Sequence, residues 1–361
     1  MQDKKIKILF LYAEIMSYTI ALIKQYVNSH NAEVHVVHWD TQKKTPYIAP
    51  TIDRVIYYGK SEFTLKTLSD FALQLQPDFV VTSGWMDKMY INVCIKLRKE
   101  NIPVIAASDT QFYNNVRQNI GKYYFKLFYK KAFSHIWVAG AYQFEYAKKL
   151  GYKNNEILFN FLSADLEIFN PIYSKTIESK KVNYPHQFLY VGRFAHEKGL
   201  DLLINAFNNL ETKKDWKLCL VGNGPLKSNL PNQKDIEIHD FVQPEKLEEF
   251  IAQSGCFVLP SKMEPWALVL HEFSAAGMPI ICSNACGAAP TFVIPGYNGY
   301  IFESGNQKDL QHWMQKIINS SDENLILMSQ KSHKIGQRLD PESNAANSLS
   351  VLKQTQIAGY R

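Results

Sequence analysis

Short β-branched and aromatic runs alternate with longer helical patterns twice along this chain, and that double alternation restricts the fold more than any other feature. In the first series the strand-like runs are 6–12, 33–39, 54–58, 79–82, 104–107 and 135–139, with helical patterns at 16–29, 62–76, 86–100 and 121–133. Nearly unbroken apolar strands separated by helices mark a parallel sheet covered on both faces, so this half reads as doubly wound. A stretch at 171–185, rich in Ser, Thr, Lys, Glu and Asn, reads as the linker. The second series has strand-like runs at 188–191, 216–221, 256–259, 279–282 and 300–302, with helical patterns at 198–210, 245–254 and 268–276. The expected architecture is α/β: an N-terminal Rossmann-like domain over 1–170 and a C-terminal one over 171–340. Their strand ends are expected to face each other across a central cleft, and a last helix at about 341–358 to pack back on the first domain.

A chain of 361 residues suits two domains of ordinary size, and its 46% hydrophobic and 20% charged residues are the balance of a folded protein, not a disordered one. The five cysteines, Cys94, Cys219, Cys256, Cys282 and Cys286, have no paired CxxC spacing, so they read as packing residues of a protein from a reducing cytoplasm. The apolar run at 6–12 is too short and strand-like for a signal peptide, and no stretch approaches the ~20 apolar residues of a membrane span. The net charge of +6 permits phosphates or lipid head groups as partners. No nucleic-acid partner is expected.

Two segments carry chemistry. In Tyr190-Val191-Gly192-Arg193-Phe194-Ala195-His196-Glu197-Lys198-Gly199, an apolar strand ends in Gly-Arg and a helix begins near Lys198. A strand-end glycine lets the backbone approach a diphosphate, helix-start amides point at it, and Arg193 and Lys198 supply charge. The plainer alternative is that both cations only cap and solvate the turn. The second segment, Glu264-Pro265-Trp266-Ala267-Leu268-Val269-Leu270-His271-Glu272, follows a strand. Pro265 suits a first helical turn, which sets Glu264 at the helix entrance and Glu272 about two turns on, near the same face. Both carboxylates can accept hydrogen bonds from sugar hydroxyls; otherwise Glu264 substitutes for a helix cap and Glu272 is solvated.

Together these segments resemble the retaining glycosyltransferases of family four, which have the GT-B fold. The matched pieces are Gly-Arg-Phe-x-x-Glu-Lys-Gly at 192–199, Gly222-Asn223-Gly224-Pro225, the pair Glu264 and Glu272, and Gly287-Ala288-Ala289-Pro290 leading to Asn298-Gly299. The resemblance implies that Arg193 and Lys198 hold the diphosphate of a nucleotide-sugar donor. It also implies that Glu272 binds the ribose, that Glu264 lies at the transferred sugar, and that amides around Ala267, Leu268 and Val269 complete the phosphate site. The base would pack by His239-Asp240-Phe241-Val242. The chain has no Asp-x-Asp motif, and the resemblance implies transfer without metal or other cofactor, the leaving phosphate accepting the acceptor's proton on one face of the sugar.

The chain departs from the family pattern in three respects. The loop Ala13-Glu14-Ile15-Met16-Ser17 lacks the usual glycine pair, Asp109 stands where a histidine is common, and Ala267 and Thr291 replace a glycine and a glutamate. Asp109 is a candidate to contact sugar or take a proton, or else to cap structure. A further segment, 121–133, places Lys122, Lys126 and Lys130 at i, i+4 spacing among aromatics, which suits either an anionic membrane surface or a core helix with a solvated stripe. The expected function is transfer of a hexose-type sugar to a glycan or lipid-linked glycan in surface polysaccharide assembly, in the cytoplasm or at the inner face of the cell membrane. A sugar-nucleotide 2-epimerase of the same fold and a non-catalytic sugar-nucleotide-binding subunit are the alternatives.

Overall fold

The structure, a computed structural model, describes residues 5–41 and 49–358, with backbone alone for 354–358. The described residues form two units: one runs up to Ser163 and resumes at Asp340, the other is Ala164–Leu339. Each is built on an all-parallel sheet whose apolar strands alternate with helices, as buried two-sided strands require.

In the first unit the strands are β1 (Ile6–Tyr12), β2 (Ala32–His38), β3 (Val55–Gly59), β4 (Phe79–Thr82), β5 (Val104–Ser108), β6 (His135–Val138) and β7 (Ile157–Leu158), in the order β3-β2-β1-β4-β5-β6-β7. Leu9, Leu11, Val80, Val104, Ala106, Ile136 and Val138 from its centre pack with Tyr90, Cys94 and Leu97 of the helix Lys88–Lys99. The helix Pro341–Ala358 belongs to this unit: it lies along the helix Ser17–His30, where the Tyr26 and Ser348 hydroxyls share a buried hydrogen bond, and Asn344 Nδ2 donates to Ser163 Oγ at 2.9 Å.

The second unit repeats the plan with β8 (Gln187–Val191), β9 (Lys217–Val221), β10 (Ile236–His239), β11 (Cys256–Leu259), β12 (Ile280–Ser283) and β13 (Gly299–Phe302), ordered β10-β9-β8-β11-β12-β13. Strands β7 and β10 were not expected from the sequence: each is two to four residues long at a sheet edge, too short to show a period.

The linker expected at 171–185 is instead the helix Leu166–Val182, and the chain passes from one unit to the other at 163/164, not at 170/171. Asp165 caps this helix by accepting from the Glu167 amide at 3.1 Å, and Pro171 sits inside it. Its polar composition hid a buried stripe: Phe169, Ile172, Thr176 and Lys180 recur three or four residues apart, with Ile177 beside Thr176. Lys180 is buried with its Nζ donating to Ser254 O at 2.8 Å, and burial lowers its pKa to about 7. All five cysteines are free and buried. No helix among the described residues is long and apolar enough to cross a membrane.

Candidate functional site

In an open doubly wound sheet, ligands bind beyond the strand C-termini where the strand order reverses. In the second unit that point lies between β8 and β11, and the two segments singled out in the sequence are the loops that leave these strands.

The loop after β8 is shaped by glycines that no other residue can replace without moving backbone. Gly199 has φ +69° and a Cβ there would lie 2.2 Å from Pro260 O, while a Cβ on Gly222 would lie 1.9 Å from Gly192 O. Residues His196–Lys198 form a single 3-10 turn, and the helix Leu200–Asn208 starts only after Gly199. The Glu197 carbonyl accepts from the amides of Lys262 at 2.8 Å and Met263 at 3.3 Å, which ties the loop after β8 to the loop after β11.

Across this junction Lys198 Nζ forms an ion pair with Glu264, whose same carboxylate oxygen accepts from Ser261 Oγ at 3.3 Å. Arg193 pairs with Glu197; backbone hydrogen bonding at Glu197 and this guanidinium hold the Glu197 carboxyl below its ordinary pKa. Arg193 is more than half exposed and Lys198 about a fifth exposed, so both remain open to an anion.

The helix after β11 begins later than the position of Pro265 implies. It spans Leu268–Ala275 with Ala267 as its cap, so Glu264 is not at the helix entrance. Glu264 instead sits in a bridge to Cys286, its carbonyl accepting from Gly287 N at 3.1 Å, and Ala288 N donates to Trp266 O at 2.7 Å. The amides of Leu268 and Val269 are in the first turn, ahead of the helix's own hydrogen-bond ladder. Ala267 holds φ +77°, a left-handed conformation that costs a residue with a Cβ about 1 kcal/mol. The departure from glycine at this position therefore carries a strain, and Ala267→Gly is expected to raise stability in urea unfolding by about 0.5–1 kcal/mol, or to leave it level where glycine's larger unfolded-state entropy cancels the relief. A clear loss of stability would show that no strain resides there.

Glu272 is half-buried, and loss of water raises its pKa to about 7, the nearby charge of Asp165 adding to the shift. Beside it, His271 is wholly buried: Nδ1 accepts from Ala164 N at 2.9 Å and Nε2 donates to Gly336 O at 2.8 Å, which fixes one neutral tautomer, and the ring stacks on Phe292 at 4.4 Å. This positions the helix that carries Glu272.

Phe241 and Val242 follow β10, and Phe241 is 43% exposed. The preceding Asp240 pairs with Lys227 and accepts from Asn223 Nδ2 at 3.1 Å, which holds the Gly222-Asn223-Gly224-Pro225 loop against this segment. Thus Arg193, Lys198 and Glu264 lie on the loops that leave β8 and β11, Leu268, Val269 and Glu272 on the helix that follows the second loop, and Phe241 and Val242 after the edge strand. Asp109 belongs to the first unit, just after β5; it is exposed, its carbonyl accepts from Gln143 Nε2 at 3.1 Å, and its charge adds to burial in raising the pKa of Tyr12 and Tyr18.

Glu197, Ser261, Asp165 and His271 were given no role from the sequence. Glu197 and His271 stand inside the quoted motifs, but Ser261 and Asp165 carry no local signal. Among the described residues, Cys219 of β9 and Glu237 and His239 of β10 bring potential metal-ligand atoms within 4.8 Å of one another. There Glu237 is engaged by Lys217 at 3.3 Å, and burial pushes the Cys219 thiol up to about 12.

First-turn amides, two cations and partly buried carboxylates at a switch point are groups able to pair with the phosphates and hydroxyls of a ligand such as a nucleotide. Residues 174–337, most of the second unit, match the family model of glycosyl transferases group 1. It is 27% identical over 199 residues to an uncharacterised glycosyltransferase of Methanocaldococcus jannaschii, covering 51% of this chain and 55% of that one. It is 34% identical over 104 residues to a Bacillus subtilis protein described as a putative teichuronic acid biosynthesis glycosyltransferase, 29% of this chain and 26% of that one. The chain spans about half the length of the first curated relatives it matches. Among solved structures, Anabaena HepE in complex with UDP and glucose aligns with a TM-score of 0.70 at 14% identity, over 97% of this chain and 100% of that one. The fold is GT-B.

Proposed function

We propose that the protein is a glycosyltransferase that moves a hexose-type sugar, with retention at the anomeric carbon, from a nucleotide-diphosphate sugar to a glycan or lipid-linked glycan acceptor. The observation that carries this reading is the Lys198–Glu264 ion pair joining the loops that leave β8 and β11 at the switch point, with Arg193 on the first loop and Glu272 on the helix that follows the second. The UDP and glucose bound by the Anabaena structure and the teichuronic acid role in the name of the Bacillus relative support a nucleotide-sugar donor and a setting in surface polysaccharide assembly.

In this reading Arg193, Lys198 and the amides of Leu268 and Val269 stabilise charge that grows on the leaving diphosphate. Glu272, ionised, accepts the ribose hydroxyls, and Glu264 accepts hydroxyls of the transferred sugar while Lys198 holds it in place. The base lies along Phe241 and Val242. The acceptor oxygen bonds to the anomeric carbon as the carbon–phosphate-oxygen bond breaks, and the departing phosphate oxygen takes the acceptor's proton on the same face. Asp109, on the first unit, serves the acceptor side. Transfer proceeds without metal, at the cytoplasmic face of a membrane that the segment 121–133 touches.

The test is thermal unfolding with a panel of nucleoside diphosphates and their sugars, first without metal, for wild type and Arg193→Ala. One diphosphate nucleotide and its sugar are expected to raise the wild-type melting temperature, and the shift to vanish in Arg193→Ala. No stabilisation by any of them, or turnover abolished by a chelator and restored by magnesium, would overturn the reading or its metal-free step respectively.

A further inference from the structure

The basic segment of the first unit turns an apolar ridge to solvent. The chain runs through the helix Val116–Tyr124, a π-helical turn Phe125–Tyr129 and a 3-10 turn Lys130–Ala132. Its inward side is Gln118 and Phe125, both buried, with Phe125 packed edge-on against Trp85 at 4.8 Å. On the opposite side stand Val116, Ile120, Tyr123 and Leu127, spaced four, three and four residues apart and 66–75% exposed, with Tyr124 and Phe128 beside them. Ordinary surface helices show the reverse pattern, with polar residues outward. A contiguous exposed apolar stripe of this kind marks an interaction surface.

Charge selects the partner. No acidic residue occurs between Asp109 and Glu145, whereas Arg117, Lys122, Lys126, Lys130 and Lys131 all do. Lys130 is held by Glu156 at 3.2 Å and lies over the Tyr152 ring at 4.0 Å. Arg117, Lys126 and Lys131 are exposed and make no ion pair among the described residues. Two copies of so cationic a surface would repel each other, whereas an anionic bilayer offers apolar depth for the ridge, an interface for Tyr and Phe, and phosphates for the flanking cations.

We infer that the ridge Val116, Ile120, Tyr123 and Leu127 is the element that inserts into the interfacial layer of an anionic lipid bilayer, with Arg117, Lys126 and Lys131 attracting the protein to its surface. The inference rests on the membrane setting of the proposed function and replaces a lysine stripe by an apolar ridge as the anchor. Because these side chains face solvent, Ile120→Asp/Leu127→Asp leaves the fold intact, which the melting temperature and the nucleotide-induced shift verify on the same sample.

Flotation with vesicles of phosphatidylcholine alone and with phosphatidylglycerol added is the experiment. Wild type is expected to float with the anionic vesicles, and the double variant to lose affinity by about tenfold or more. Lys126→Gln/Lys131→Gln is expected to weaken binding only to the anionic vesicles, as added salt does for wild type. In Tyr123→Trp, the indole emission is expected to shift to the blue on anionic vesicles. Unchanged flotation of the Asp variant would overturn the inference. So would a wild type that ignores vesicles but forms a dimer which that variant disrupts. Either result leaves the donor-site reading standing, since that reading fails only on the nucleotide-induced melting shift.

Discussion

Lys198→Ala is expected to lower turnover by about a hundred- to a thousandfold, the usual effect of removing one group that stabilises charge developing in a transition state. The structure adds a second consequence. The Glu264 side chain is only 12% exposed and pairs with Lys198, so the variant withdraws this positive charge from a largely buried carboxylate. Breaking such a pair costs stability of about 1–3 kcal/mol. The two effects separate in Lys198→Ala/Glu264→Gln, which removes the carboxylate charge: stability returns towards wild type while turnover stays low. Steady-state kinetics and urea unfolding of the three proteins check this. Recovery of turnover together with stability would mean that Lys198 acts only as a partner for Glu264 and never on the donor.

Glu272→Gln is expected to strengthen the fold and weaken nucleotide binding in one step. The Glu272 carboxyl titrates near 7 in the folded protein and near 4.5 when unfolded, because burial and the Asp165 charge oppose its ionisation. Between those values the unfolded chain has already released this proton and the native state has not, so wild-type stability falls as pH rises through this window. The contribution, complete below the unfolded value and lost above about pH 7, is of order 3 kcal/mol. Glutamine has no such proton; the variant should therefore match wild type near pH 4.5 and exceed it in melting temperature at pH 8. Nucleotide affinity moves the other way. With the ionised carboxylate accepting the ribose hydroxyls as proposed, wild-type affinity is expected to drop as pH falls below 7, and the variant to bind weakly at every pH. A stability difference that does not change with pH would place Glu272 in an ordinary solvated setting, and unaltered nucleotide affinity would remove it from the ribose.

The placement of Arg193 and Lys198 was legible in the sequence because they are five residues apart on one strand-to-helix connection, and local spacing suffices to set both beside a strand end. Glu264 and Glu272 were legible as a pair but not in their surroundings. The helix between them starts at Leu268 and not at Pro265, because Ala267 turns left-handed and Glu264 is drawn into a bridge with Cys286. The segment 171–185 misled for a related reason: its polar residues are those on the outer side of a helix, and composition does not say which side is covered.

By itself, then, the sequence determined that the chain forms two doubly wound units and that the second sets two cations, Arg193 and Lys198, just beyond the end of its first strand. Both follow from short-range patterns of apolar and charged residues that the backbone period converts directly into faces and turns. Only the tertiary structure decided that Lys198 meets Glu264 from 66 residues away and that Asp165 and burial bring Glu272 to titrate near neutrality. It likewise decided that the side of Val116–Tyr124 left uncovered is the apolar one. Those outcomes depend on which surfaces pack together, and neither the charge of a side chain nor its hydrophobicity states what will come to lie beside it.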